Sequence, residues 1–221
     1  VIFFIIFITR QMNEEKDAQT NSQVSTQKIS GDNDTSTENT IDNITPLTGE
    51  RELAFKSEGL KTNTAITSIP LDLVLDGGPG KDGIPAITSP KFTNVSEAKK
   101  WLRDDADGLV VTSGQTTRFY PYNILVWHEI VNDVVEGKAL TVTFCPLCAS
   151  AIVFDATIDG KQEEFGVSGK LYESNLLMYD KTTESLWSQI LGEAVVGDKT
   201  GEKLAIYSSQ IMNFKQAVEK Y

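Results

Sequence analysis

The sequence predicts a mainly β protein with a few short helices, a single compact β-rich (α+β) domain behind a polar tether. Three observations carry this. From residue 108 onward, short runs rich in Val, Ile, Thr and aromatics alternate with Gly- and Asp-containing turns. Only the last stretch, MNFKQAVEKY (212–221), has a clear helical pattern. Residues 11–50 are dominated by Ser, Thr, Asn, Asp and Gln and contain no aromatic residue. Such a segment buries too little apolar surface to offset its ordering entropy, so residues 9–50 are read as a disordered linker.

The chain opens on VIFFIIFI, eight wholly apolar residues. Eight residues are too few to span a bilayer, which takes about 20. Residues 1–8 are therefore read as a truncated membrane or signal segment. A buried first strand is the weaker alternative, because the following forty residues offer nothing to pack against it. This reading makes the protein membrane-anchored or secreted, extracytoplasmic, with the membrane as its partner. Three Asn-x-Ser/Thr sequons, at Asn33, Asn43 and Asn94, matter only in that setting. A net charge of −11 argues against nucleic acid, since a backbone binder needs clustered Lys and Arg.

The folded domain is expected over 51–221. DGGPGKDGIPAI (76–87) is a Gly- and Pro-dense loop. It is not a phosphate loop, because Asp82 follows Lys81 where Ser or Thr is needed. NVSEAKKWL (94–102) reads as a short helix capped by Ser96. Strands follow at GLVVT, ALTVTF, AIVFDATI, EFGVS, NLLMYD and EAVVG. NILVWHEIVNDVV (123–135) fits a helix by its apolar spacing and a strand by its β-branched excess. The strand is preferred, feeding a hairpin at Glu136-Gly137.

The two cysteines, Cys145 and Cys148, lie in VTFCPLCASA. A Cys-x-x-Cys pair serves as metal ligand, redox dithiol or disulfide staple. A redox pair usually opens a helix that lowers a thiol pKa; here a hairpin follows, so fast oxidoreductase behaviour is not expected. A metal site must recruit the single histidine, His128. A two-residue turn at Glu136-Gly137 would set Val131 opposite Val142 and His128 opposite Cys145. Met178 as a fourth ligand would favour copper, Asp155 zinc. Binding of one zinc or copper ion is the leading expectation. A thiol–disulfide protein and a non-catalytic interaction module with a structural disulfide are the alternatives. Two weaker constellations are Ser168 in GVSGK, as a nucleophile with His128, and the carboxylates Asp180 and Glu184 in YDKTTESLW.

Taken in order, GGPGKDGIPAI, YPYNILVWHEIVND, VTFCPLCASAIVFD, FGVSGKLYESNLLMYDKTTESLWSQ and GEAVVGDKTGEKL resemble the bacterial and archaeal family catalogued as domain of unknown function 3179. The resemblance covers about residues 70–221. It implies an exported or membrane-anchored protein and a domain that continues past Tyr221. It singles out His128, Glu129, Asn132, Asp133, Cys145, Cys148, Ser168, Tyr172, Met178, Asp180, Glu184, Ser185, Trp187 and Gln189 without assigning them roles. Ala149 departs from the family, where Gly is commoner.

Overall fold

The structure, a computed structural model, describes residues 2–7 as backbone and residues 59–221 in full. The linker expected over 9–50 lies outside the described residues. In chain order the elements begin with β1 (Ile2–Phe7), β2 (Val74–Asp76), β3 (Ile87–Thr88) and β4 (Lys91–Thr93). Helix α1 (Val95–Ala98), β5 (Asp107–Ser113), β6 (Thr116–Pro121), helix α2 (Tyr122–His128), β7 (Ile130–Val135) and β8 (Lys138–Cys145) follow. Then come β9 (Ser150–Asp155), β10 (Thr157–Ile158), β11 (Lys161–Gln162), β12 (Phe165–Tyr172) and β13 (Asn175–Asp180). The chain closes with β14 (Leu186–Ser188), β15 (Glu193–Val196), β16 (Ser209–Asn213) and helix α3 (Phe214–Lys220). The expected β-rich class with short helices is the observed one.

Among the described residues three sheets form, plus the β10–β11 ribbon. The outer ones run β16-β5-β6-β1-β4 and β15-β14-β13-β12-β2, and the middle one β3-β7-β8-β9. Side chains alternate faces along a strand, so a sheet between two others must be apolar on both. The middle sheet meets this. Val131, Val135, Leu140, Val142 and Phe144 pack with Leu109, Val111 and Tyr120 of the first sheet. From the opposite face Ile130, Ala139 and Cys145 pack with Phe165, Val167, Leu176, Met178 and Trp187 of the other. This explains the near-continuous apolar run ALTVTF. The outer faces are covered in turn, one by Leu102, Phe214 and Ala217, the other by Leu60, Ile69 and Leu71.

β1 lies between β6, parallel to it, and β4, antiparallel. The backbone of Ile2–Phe7 thus takes the strand arrangement that sequence reasoning ranked second. Among the described residues no helix is long and apolar enough to cross a membrane.

The β7–β8 hairpin turns on two residues, Glu136 at φ 50° and Gly137 at φ 78°. Both are in the left-handed region, as a type I′ turn requires. Val131 pairs with Val142, the expected register. The expectation fails upstream: Tyr122–His128 is helical, not extended. Glu129, at φ 55° and ψ −34°, breaks the chain out of α2 into β7. His128 therefore never reaches a ladder position opposite Cys145, whose partner is Ser150. The α1 cap is also corrected, since Asn94, not Ser96, accepts from Glu97 N–H.

The 76–87 loop lies against a bulge in β12. Gly77 N–H donates to Gly169 O at 2.7 Å and Asp82 N–H to Val167 O at 2.9 Å. Gly169, at φ 75°, has no room for a side chain: a Cβ would sit 2.6 Å from the Gly80 backbone.

Candidate functional site

Cys145 ends β8 and Ser150 opens β9; Pro146, Leu147, Cys148 and Ala149 bridge them. Ala149 closes the loop at φ 52°, a left-handed conformation that Gly would adopt without strain. The loop places the two thiols differently. Cys145 is buried, Cys148 is exposed, and both are free thiols.

Cys148 Sγ lies 3.1 Å from Ser150 Oγ and accepts from Asn175 Nδ2 at 3.3 Å. Asn175 opens β13 after a turn in which Glu173 and Ser174 are both left-handed. Its amide orientation is fixed by the backbone, because Ile190 N–H donates to Asn175 Oδ1 at 2.9 Å. The NH₂ end must then face the sulfur. It also donates to Gln189 Oε1 at 2.7 Å, which fixes that amide in turn. Gln189 Nε2 donates to Thr143 Oγ1 at 3.1 Å and Ser150 O at 3.3 Å. Thr143 and Gln189 are fully buried. The network thus joins β8 and β9 of the middle sheet to β13 and the end of β14, and its outermost acceptor is Cys148 sulfur.

Ser150 has one proton and two neighbours for it. Its Oγ lies 2.7 Å from Gln189 Oε1 and 3.1 Å from Cys148 Sγ. With Cys148 protonated, the thiol donates to Ser150 and Ser150 to Gln189. With Cys148 ionised, the hydroxyl turns to the sulfur, and Gln189 Oε1 keeps its bond from Asn175. The network is satisfied in both states.

Partial burial alone would raise the Cys148 thiol pKa, but hydrogen bonds from Ser150, Asn175 and Cys145 outweigh it and bring it to about 7. Burial raises Cys145, against backbone N–H groups of Cys148 and Leu176, and its bond to Cys148 raises it further. The outer thiol therefore ionises before the inner one. Sequence reasoning tied a lowered thiol pKa to a helix start; here no helix follows the pair and side-chain donors do the lowering.

The other expected ligands lie elsewhere. His128 Nδ1 is 2.7 Å from Pro85 O. Met178 is fully buried in the core between the middle and second outer sheets. Asp155 is paired with Lys138. Among the described residues, no group of three or more His, Cys, Asp or Glu side chains is gathered as a metal would need, so the Cys145–Cys148–His128 set is not assembled.

Most remaining family-motif positions have architectural partners. Asn132 forms a two-way amide clamp with the Phe165 backbone, at 2.8 and 2.9 Å, tying the middle sheet to β12. Asp133 binds Arg118 and, at 2.6 Å, Tyr120 OH. Asp180 accepts from Thr183 and from Trp187 Nε1 at 2.9 Å, while Glu184 pairs with Lys81 at 2.8 Å. These carboxylates hold a turn and a loop rather than forming an acid–base pair. Ser185 Oγ accepts from Lys199 N–H, and Tyr172 packs against the outer apolar cluster. Ser168 is buried in the β12 bulge, donating to Leu177 O, with no triad around it among the described residues. Sequence reasoning missed Ser150, Asn175 and Thr143, because nothing local marks a Ser or Asn that meets a sulfur across two sheets.

The family profile described as "Protein of unknown function (DUF3179)" matches residues 81–221. The chain belongs to the DUF3179 family. No curated protein and no solved structure matches it. Within the DUF3179 span fall both cysteines and all four polar residues around Cys148, so the whole thiol network lies inside the matched domain.

Proposed function

We propose that this DUF3179 domain is a thiol–disulfide exchange protein, with Cys148 as the attacking sulfur and Cys145 as the resolving one. The observation that supports it is the ring of donors, Ser150, Asn175 and Cys145, converging on one exposed sulfur. A thiol with pKa near ambient pH combines a useful thiolate fraction with retained nucleophilicity. Cys148 thiolate attacks a substrate disulfide, forming a mixed disulfide and releasing one substrate thiolate. Cys145 then attacks the Cys148 sulfur and releases the second, which takes up the Cys145 proton. The substrate gains two electrons and the Cys145–Cys148 pair becomes a disulfide. An external dithiol reverses the change.

The test is the pH–rate profile of alkylation by a neutral iodoacetamide, with mass mapping of each cysteine. Expected are a midpoint near pH 7 at Cys148, slow labelling of Cys145, and an intramolecular disulfide after mild oxidation. A midpoint at the ordinary thiol value of about 8.5, with a pair that will not oxidise, would refute the proposal.

A second reading, one zinc or copper ion, uses the same sulfurs. Soft thiolates select copper(I), whereas structural zinc takes four ligands, so the arrangement favours copper of the two. Stoichiometric metal in untagged protein, protecting both thiols from alkylation, would favour it over exchange. An extracytoplasmic location, where disulfide substrates persist, fits the exchange reading and is tested by cell fractionation.

A further inference from the structure

We propose that the substrate of the Cys148 site is a cysteine carried on an extended, apolar polypeptide segment that pairs with the open end of the β9 edge, rather than a small anionic thiol. The inference rests on the exchange reading and adds the class of partner.

Three features point to it. First, the residues flanking the sulfur are apolar and exposed. Leu147, between the two cysteines, is 67 % exposed, and Ile190 and Leu191 are 54 % and 58 % exposed. Ile190 is tied to the site directly, because its N–H holds the Asn175 amide that donates to Cys148. Second, the flanking segments 146–149, 173–174 and 190–192 carry a single ionisable side chain besides Cys148, the acidic Glu173. They offer no cation to a thiol bearing carboxylates, on a chain of net charge −11.

Third, the β9 edge is paired with residues 205–207 along most of its length and leaves one backbone pair open at the end beside the sulfur. Outward-facing backbone groups recur at every second residue of an edge strand. On β9, Asp155 N–H donates to Ala205 O and Val153 O accepts from Tyr207 N–H, both at 2.8 Å. Ala151 presents the next outward pair, and among the described residues no backbone group meets it. Ala151 is three residues from Cys148 along the chain. An extended segment adding to the edge there gains main-chain hydrogen bonds, with alternate side chains free to contact Leu147 or Ile190.

The experiment uses the whole chain and three probes, each reacted with the reduced protein and followed by mass spectrometry. Two are peptides of equal length with a central cysteine capped as a mixed disulfide with 2-mercaptoethanol, one flanked by Val and Ile, the other by Asp and Gly. The third is the small neutral hydroxyethyl disulfide. The apolar peptide should react about tenfold faster than the acidic one, the scale of one buried aliphatic side chain. N-methylation of the apolar peptide at alternate residues should remove most of that gain. Leu147→Asn with Leu191→Asn should lower its rate and leave hydroxyethyl disulfide unchanged. Equal rates for the two peptides on the wild-type protein would overturn the inference while the exchange reading stood. Failure of hydroxyethyl disulfide to react at Cys148 would overturn both.

Discussion

Two buried polar clusters bridge the sheets of this molecule, and they are built oppositely. Between the first and middle sheets, Asp133 meets Arg118 and Tyr120 OH and also accepts from Val134 N–H. Charge faces charge, and the carboxylate is 5 % exposed. Between the middle sheet and the second outer one, the cluster contains only neutral groups, Thr143, Ser150, Asn175 and Gln189, and ends on the exposed Cys148 sulfur. In the first cluster the carboxylate finds all its partners inside the protein, while Arg118 Nε is left buried without one among the described residues. The second has donors left over and directs them at an atom a solute can reach. Buried polarity is within reach of a solute here only where the network ends at the surface.

The largest expected effect comes from breaking the closed cluster. Asp133→Ala strands Arg118 in a low-dielectric site and should cost about 3–5 kcal/mol of unfolding free energy. Denaturant titration measures this. Surviving folded protein should alkylate at Cys148 with wild-type pH dependence, and a shifted midpoint would mean that the two clusters are coupled.

Glu129, four residues before Asp133, sharpens the contrast. No hydrogen bond or ion pair reaches its carboxylate among the described residues, and burial pushes its pKa up to about 7. The folded value lies above the unfolded one near 4.3, so the fold favours the neutral acid. Stability from this group is complete below about pH 4 and lost as pH rises toward 7. Glu129→Gln should therefore stabilise the protein at pH 8, by about 1–2 kcal/mol after solvent screening, with the gain shrinking toward pH 4. A pH-independent effect in paired melts would show that desolvation of the charge is not its cause.

The open cluster should respond in reactivity more than in stability. Asn175→Ala removes one donor to the sulfur and should move the Cys148 midpoint upward. A rise of about one unit lowers the alkylation rate at pH 7 about fivefold. Stability should fall by about 1–3 kcal/mol, because the bonds to Gln189 and Ile190 are lost. Ser150→Ala should raise the midpoint at least as much, since its hydroxyl is the strongest donor lowering the sulfur's pKa. An unchanged midpoint in both variants would show that the network is structural, like that at Asp133.

The smallest test concerns the chain start. Deleting residues 1–8 should lower the melting temperature, because β1 lies between β6 and β4. An unchanged melting temperature would return the segment to the anchor expected from its composition.

The sequence by itself determined a good deal. Period-two and continuous apolar runs specified β8, β9, β12, β13 and β15, and the Glu136-Gly137 turn set the β7–β8 register, because both signals are local. It also picked out the two cysteines, as the chain has no others. It failed at Tyr122–His128, where helical spacing and β-branched content conflict and packing decided for the helix. Short strands such as β14 and β16 were missed, since few residues carry their pattern. What only the tertiary structure decided is the chemistry of the thiol pair. Cys148 meets Asn175 27 positions away, and Gln189 meets Thr143 46 positions away. A thiol pKa is set by the donors around the sulfur, and here the nearest of those beyond its own hairpin arrives from a different sheet.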